Sequence, residues 1–104
     1  MNLDLSDGIL TVLLDGEIDH HTAPPIREAI DEIILQDMPR ILKLDYGEVT
    51  FMDSSGIGLI MGRYKLMKSI GGKIRVQNLS PGAYKVMCLA GIERLGEVKQ
   101  KEVI

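Results

Sequence analysis

A chain of 104 residues is long enough for one domain, taken here as residues 1–104, and too short for two. Its 45% hydrophobic and 26% charged residues suit a globular core, and its net charge of −3 argues against nucleic-acid binding, which rests on clustered positive charge. The single cysteine, Cys88, cannot close an internal disulfide, and no apolar run nears the roughly 20 residues of a membrane span, so the expected setting is the cytoplasm.

The opening, MNLDLSDG, is acidic and carries no basic-then-apolar leader. Leu3 and Leu5 suggest a small strand. Residues 9–15 (ILTVLLD) are short, apolar and bounded by Gly8 and Gly16, which reads as a buried strand. Thr22 then resembles an N-cap, and Pro24 and Pro25 stand where a helix start tolerates proline. Ile26, Ile30, Ile33 and Ile34 follow at helical spacing, with Arg27, Glu28, Asp31 and Glu32 on the other face, and Pro39 closes the segment. Residues 41–45 (ILKLD) form the next strand and residues 46–52 a loop. A helix is predicted from Ser54 to about Ile70, with Ile57, Ile60, Met61, Tyr64 and Met67 as its inner face and Gly71-Gly72 as its end. Residues 73–77 alternate polar and apolar, as a half-exposed strand does. Ser80-Pro81 starts a capped helix whose apolar side is Val86, Leu89 and Ala90, and Gly91 stops it. Residues 92–98 complete the series as a last strand. Arg63, Lys65, Lys68, Lys73 and Arg75 make a basic run, read as a solvated face or as a meeting point for an acidic partner.

Repeated strand–helix alternation implies α/β architecture, with successive strands roughly parallel and right-handed connections between them. Sites in such folds gather at the carboxyl ends of the strands. Two stretches lie there, residues 16–22 (GEIDHHT) and residues 46–55, which sit side by side if their strands are neighbours. Four chemistries are open to them. Ser54 with His20 or His21 and Asp19 or Asp53 supplies the residue types of a serine hydrolase, but G-x-S-x-G is missing and the adjacent DHH offers no independent orienting acid. Gly56 and Gly58 loosely suggest a phosphate cradle, yet neither G-x-G-x-x-G nor G-x-x-x-x-G-K-[ST] is complete; with Gly62 they more simply allow helix and sheet to approach closely. Asp19, His20 and His21 are a poor metal set without a distant fourth ligand. Ser54 at a helix start is either an N-cap or a phosphate acceptor, and the two roles are compatible.

The stretch VTFMDSSGIGLIMGRYK, residues 49–65, resembles the signature of the anti-anti-sigma factors, members of the STAS domain family, and most of all their sporulation branch. GEIDHHTA (residues 16–23) is similar to the first loop of that branch, and IGGKIRV (residues 70–76) to the strand that follows. The likeness runs from about residue 3 to residue 95. It implies a single small STAS-type α/β domain with a mixed, mostly parallel sheet of four to five strands and helices packed mainly on one side. It implies a partner that is both an anti-sigma factor and a serine kinase and that itself binds ATP. The unphosphorylated chain would bind this kinase and so free a sigma factor. Phosphorylation of Ser54, the first serine of DSSG, would end the binding, and a phosphoserine phosphatase would restore it. Asp19 matches the family's first-loop aspartate beside that serine. The partner surface carries over to Asp19, His20, His21, Thr22, Asp53, Ser54, Ser55, Gly56 and Gly58, with Ser55 capping or holding the loop. Nothing in this implies an enzyme, a metal or another cofactor. A partner switch of a different pathway, such as a general stress response, has a similar motif and a different partner. Family members usually end with a full helix; only residues 98–104 remain here, so that helix is expected to be short or absent.

Overall fold

In the computed structural model, which describes residues 1–102, every second residue of three strands points into one core. Leu10, Val12 and Leu14 come from β2 (Ile9–Ile18), Leu42, Leu44 and Tyr46 from β3 (Ile41–Met52), and Ile74 and Val76 from β4 (Lys73–Leu79). All are at most 4% exposed, and the residues between them are half-buried or exposed. A sheet with one buried face has this period of two. The face is covered by Ile30 and Ile34 of α1 (Ala23–Asp37), Leu59, Ile60 and Met67 of α2 (Ser54–Ser69), and Met87 of α3 (Pro81–Leu89). Burying an aliphatic side chain of this size is worth roughly 1.5–3 kcal/mol, so this single cluster dominates the stability.

The strands lie in space in chain order, β1-β2-β3-β4-β5. β1 (Asn2–Ser6) pairs antiparallel with β2 through an Asp7-Gly8 turn, both residues at positive φ (54° and 76°), the geometry that Asp-Gly favours in a two-residue hairpin. The β2–β3, β3–β4 and β4–β5 pairs are parallel, so the sheet is mixed but mostly parallel, as expected from the alternation. The helix ends also follow the sequence signals. Pro39 comes just after the left-handed Met38, Gly71 sits at φ 77°, and the Ser80 hydroxyl accepts from the Ala83 N–H at 3.2 Å.

Five expectations are corrected. Residues 46–52 are not a loop: β2 and β3 remain paired to Ile18↔Met52, with register shifts between Leu13 and Asp15 and between Gly16 and Glu17 that hide the continuity from a period-two reading. The inner face of α2 is Gly56, Leu59, Ile60, Arg63 and Met67, whereas Met61 is 42% exposed. In α3 the buried residue is Met87, and Val86 and Leu89 face outward. Arg63 does not belong to a solvated face; it is buried, with its Nε 2.7 Å from Asp31 Oδ1 on α1. Residues 92–98 are not one strand but a 3₁₀ turn, Ile92–Arg94, followed by β5 (Glu97–Gln100). Of the closing segment 98–104, residues 98–100 finish β5, Lys101 donates its N–H to Leu79 O at 2.7 Å, and Val103 and Ile104 lie outside the described residues.

Candidate functional site

Because β2 and β3 are parallel neighbours, their carboxyl ends finish together. The Asp53 N–H donates to Ile18 O at 3.2 Å, one step beyond the Ile18↔Met52 pair, and this places the 19–22 loop beside the start of α2.

The 19–22 loop is held by its own polar groups. Asp19 Oδ1 accepts from the N–H groups of His21 (2.8 Å) and Thr22 (3.0 Å). Thr22 Oγ1 accepts from the Asp19 N–H and donates to Glu17 O, both at 2.9 Å. Thr22 is therefore not the side-chain cap that its position suggests; it already has helical dihedrals, and Asp19 takes the backbone donors instead. The hydrogen bond from Thr22, then that from His21, hold the Asp19 carboxyl below its ordinary pKa, with the neighbouring histidines adding to the effect. His20 and His21 are exposed and their rings stand 4.0 Å apart. A short loop with an ionised carboxylate bound to two of its own amides keeps its shape and presents acid and imidazoles outward.

At the start of α2 the cap is one residue earlier than a Ser54 cap would place it. Asp53 is extended (φ −99°, ψ −166°), and its carboxylate accepts from the Ser55 N–H at 2.8 Å. Ser54 is thus the first residue of the helix, exposed, with a hydroxyl that the cap does not use. Ser55 holds the turn through its backbone rather than its side chain. Gly56 is buried, and a Cβ there would run into the Met52 side chain; the buried Tyr46 hydroxyl donates to Gly56 O at 3.4 Å, and burial pushes the Tyr46 phenol pKa well up. Close approach therefore explains Gly56. It does not explain Gly58 or Gly62, where a Cβ would meet nothing within 4 Å.

Consecutive residues on a helix point about 100° apart, and the two serines face different surfaces. Ser54 lines a mostly apolar cleft of about 520 Å³ between the end of β3, α2 and α3, with Val49, Phe51, Ile57 and Val86 among its walls. Phe51 is 54% exposed and Val86 46%. Ser55 faces a second groove between α1 and α2, together with His20 and Arg27. His20 thus shares a groove with Ser55 rather than with Ser54. Among the described residues no group of three or more His, Cys, Asp and Glu is placed to hold a metal ion. Sequence reasoning missed Phe51 and Val86 as site residues. The signal was present in Phe51, an aromatic residue at the end of a strand directly before the acidic turn.

The chain is similar to known proteins over nearly its whole length. The profile described as STAS domain matches residues 1–103. The anti-sigma F factor antagonist of Paenibacillus polymyxa is 36% identical over 96 residues, covering 92% of this chain and 82% of the relative. The anti-sigma-B factor antagonist of Bacillus subtilis is 28% identical over 103 residues, covering 97% and 93%. The solved structure of the anti-sigma factor antagonist SpoIIAA in its unphosphorylated form superposes with a TM-score of 0.82 at 30% identity, covering 93% of this chain and 85% of that one.

Proposed function

The chain belongs to the STAS domain family, and from that premise we propose that it is an anti-sigma factor antagonist, switched by phosphorylation of Ser54. The observation that carries this reading is the exposed Ser54 hydroxyl, free of the helix cap and at the rim of an apolar cleft. In the unphosphorylated state, Asp19, His20, His21 and Thr22 of the loop, with Asp53, Ser54, Ser55, Gly56 and Gly58, form the surface that an anti-sigma factor covers. Covering it displaces the sigma factor. The chain catalyses nothing; it is a binding module and a kinase substrate that acts in the cytoplasm.

The switch step belongs to the partner, a serine kinase holding ATP. The Ser54 Oγ–P bond forms, the bond between the γ-phosphorus and the β,γ-bridging oxygen breaks, ADP leaves and the hydroxyl proton passes to a base of the kinase or to solvent. The new group carries about −1.5 to −2 charges at pH 7. The amino terminus of α2 accommodates that charge, so the fold survives. The interface does not, because a dianion at the rim of an apolar cleft must be desolvated beside Asp53 when the partner returns. A phosphoserine phosphatase restores the binding form by hydrolysis. The higher identity to the sigma F antagonist favours the sporulation pathway, and the sigma-B relative marks general stress control as the second reading.

The test is intact-mass spectrometry after mixing the protein with ATP and the anti-sigma serine kinase encoded near it. One added phosphoryl group, absent from Ser54→Ala, is the expected result. No mass shift despite demonstrated binding would defeat the switch. In calorimetry, Ser54→Ala keeps full affinity and Ser54→Asp loses most of it.

A further inference from the structure

The groove between α1 and α2, about 430 Å³, has no role in the phosphorylation step. Its walls carry two guanidinium groups, Arg27 on α1 and Arg63 on α2. The Arg63 side chain is only 7% exposed. Its Nε lies 2.7 Å from Asp31 Oδ1, so this guanidinium is already paired with a carboxylate. Burial lowers the Arg63 pKa, Asp31 opposes this, and the nearby Arg27 charge lowers it further. Arg27 itself forms no ion pair among the described residues. Two guanidiniums beside one carboxylate leave one positive charge in excess at this groove, carried by the exposed Arg27.

The glycines fit the same picture. Gly58 and Gly62 line the groove, and a Cβ at either would meet nothing within 4 Å. Each glycine in place of alanine destabilises a helix interior. Neither position repays that by close packing, and both keep the groove open toward Arg63. His20 and Ser55 also line the groove, and they belong to the 19–22 loop and to the helix start that carries Ser54. A protein seated on the Ser54 face therefore reaches the groove without a second docking event.

We propose that the α1–α2 groove receives a carboxylate, the acidic side chain of the protein partner that covers the Ser54 face. This rests on the reading of the chain as a partner-binding switch. A guanidinium's planar fork of N–H donors suits a carboxylate, Arg27 has no ion pair among the described residues, and a single negative charge balances the excess.

The test is titration calorimetry of the anti-sigma serine kinase against the full chain and its variants. Arg27 is exposed, so Arg27→Gln and Arg27→Glu fold; Arg63 is left intact, because its removal would strip Asp31 of its partner. Arg27→Gln is expected to weaken binding on the order of 10- to 100-fold, and Arg27→Glu more. Gly62→Ala is expected to raise the thermal midpoint while weakening binding on the order of tenfold. Among alanine substitutions of the partner's Asp and Glu residues, one is expected to be non-additive with Arg27→Gln. Wild-type affinity in Arg27→Gln, while Ser54→Asp is weakened, overturns the groove and leaves the functional reading standing. Additivity with every partner acid overturns the carboxylate occupant. Failure of the unaltered chain to bind the kinase at all overturns the functional reading, and the groove with it.

Discussion

Replacing Asp53 by alanine should destabilise the protein more than replacing Ser54, although Ser54 carries the proposed switch. The Asp53 carboxylate accepts the Ser55 N–H at 2.8 Å, the one side-chain cap of a 16-residue helix that supplies Leu59, Ile60 and Met67 to the core. Loss of such a cap costs about 1 kcal/mol. With an unfolding entropy of about 2.1 cal/mol/K per residue over a chain of 104 residues, 1 kcal/mol lowers the midpoint by about 5 °C. Asp53→Asn keeps a capping oxygen and should lose only a fraction of that. Ser54→Ala removes a hydroxyl outside the cap and should stay within about 2 °C of the parent, since uninvolved surface changes remain within ~0.5 kcal/mol. Ser54→Asp adds an acid to a first helical turn that has none, a favourable placement worth ~0.3–1 kcal/mol and offset by the adjacent Asp53. The assay is differential scanning calorimetry of the four variants at one pH and salt concentration. If Ser54→Ala loses as much as Asp53→Ala, Ser54 is the working cap, and a phosphoryl group there would act by fraying the helix rather than by charging an intact surface.

Gly56→Ala drives a methyl into the Met52 side chain and should cost ~1–3 kcal/mol, whereas Gly58→Ala, into open space, should gain ~0.5–1 kcal/mol; urea unfolding separates the signs. Asp31→Ala leaves the buried Arg63 without its counter-ion. The expected loss is ~2–3 kcal/mol, below the ~3–5 kcal/mol of a fully buried pair because the Asp31 carboxylate is 28% exposed, and Arg63→Met with Asp31→Ala together should recover part of it. Met87→Ala should cost ~2–5 kcal/mol and Leu89→Ala, at an 80% exposed site, under ~0.5 kcal/mol; equal costs would return the inner face of α3 to Leu89. The pKa of Asp19 is lowered in the folded protein, so its contribution to stability is complete above the unfolded value near ~4 and is lost as pH falls through the folded one. The His21 and Thr22 amide resonances should therefore move together on acidification below about pH 4, and Asp19→Asn should abolish that movement.

Much of the architecture could be read from the chain because its punctuation is explicit. Asp7-Gly8, Pro24-Pro25, Pro39, Gly71-Gly72 and Ser80-Pro81 bound elements whose interiors are apolar at the right period, and the structure keeps those boundaries to within a few residues. The errors fall where several answers share one pattern. Helix α2 is apolar on most sides, through Ile57, Leu59, Ile60, Met61, Tyr64, Leu66 and Met67, so spacing alone offers more than one inner face. Residues 86–89 (VMCL) are four consecutive apolar residues, which carry no phase at all. Arg63 looks solvated until Asp31, on another helix, is brought beside it. Asp53 and Ser54 are both good cap residues in adjacent positions, and only the backbone dihedrals choose between them. That the two serines serve different surfaces follows from the third dimension: α1 and α3 flank opposite sides of α2 at its first turn.

The spatial order of the strands repeats the order of synthesis, and this sets the sequence in which the surfaces mature. Every strand docks on the one made just before it, so no strand has to be inserted later between two that are already paired. As the chain is made, at ~5–20 residues per second, the 19–22 loop, the Asp53 cap and the α1–α2 groove are all encoded by residue 69. The apolar cleft is not: its far wall, Ala83 and Val86, belongs to α3. The nascent protein thus acquires its charged groove before its greasy one. Its stickiest surface, Phe51 and its neighbours, gains a wall only when the last third of the chain has emerged.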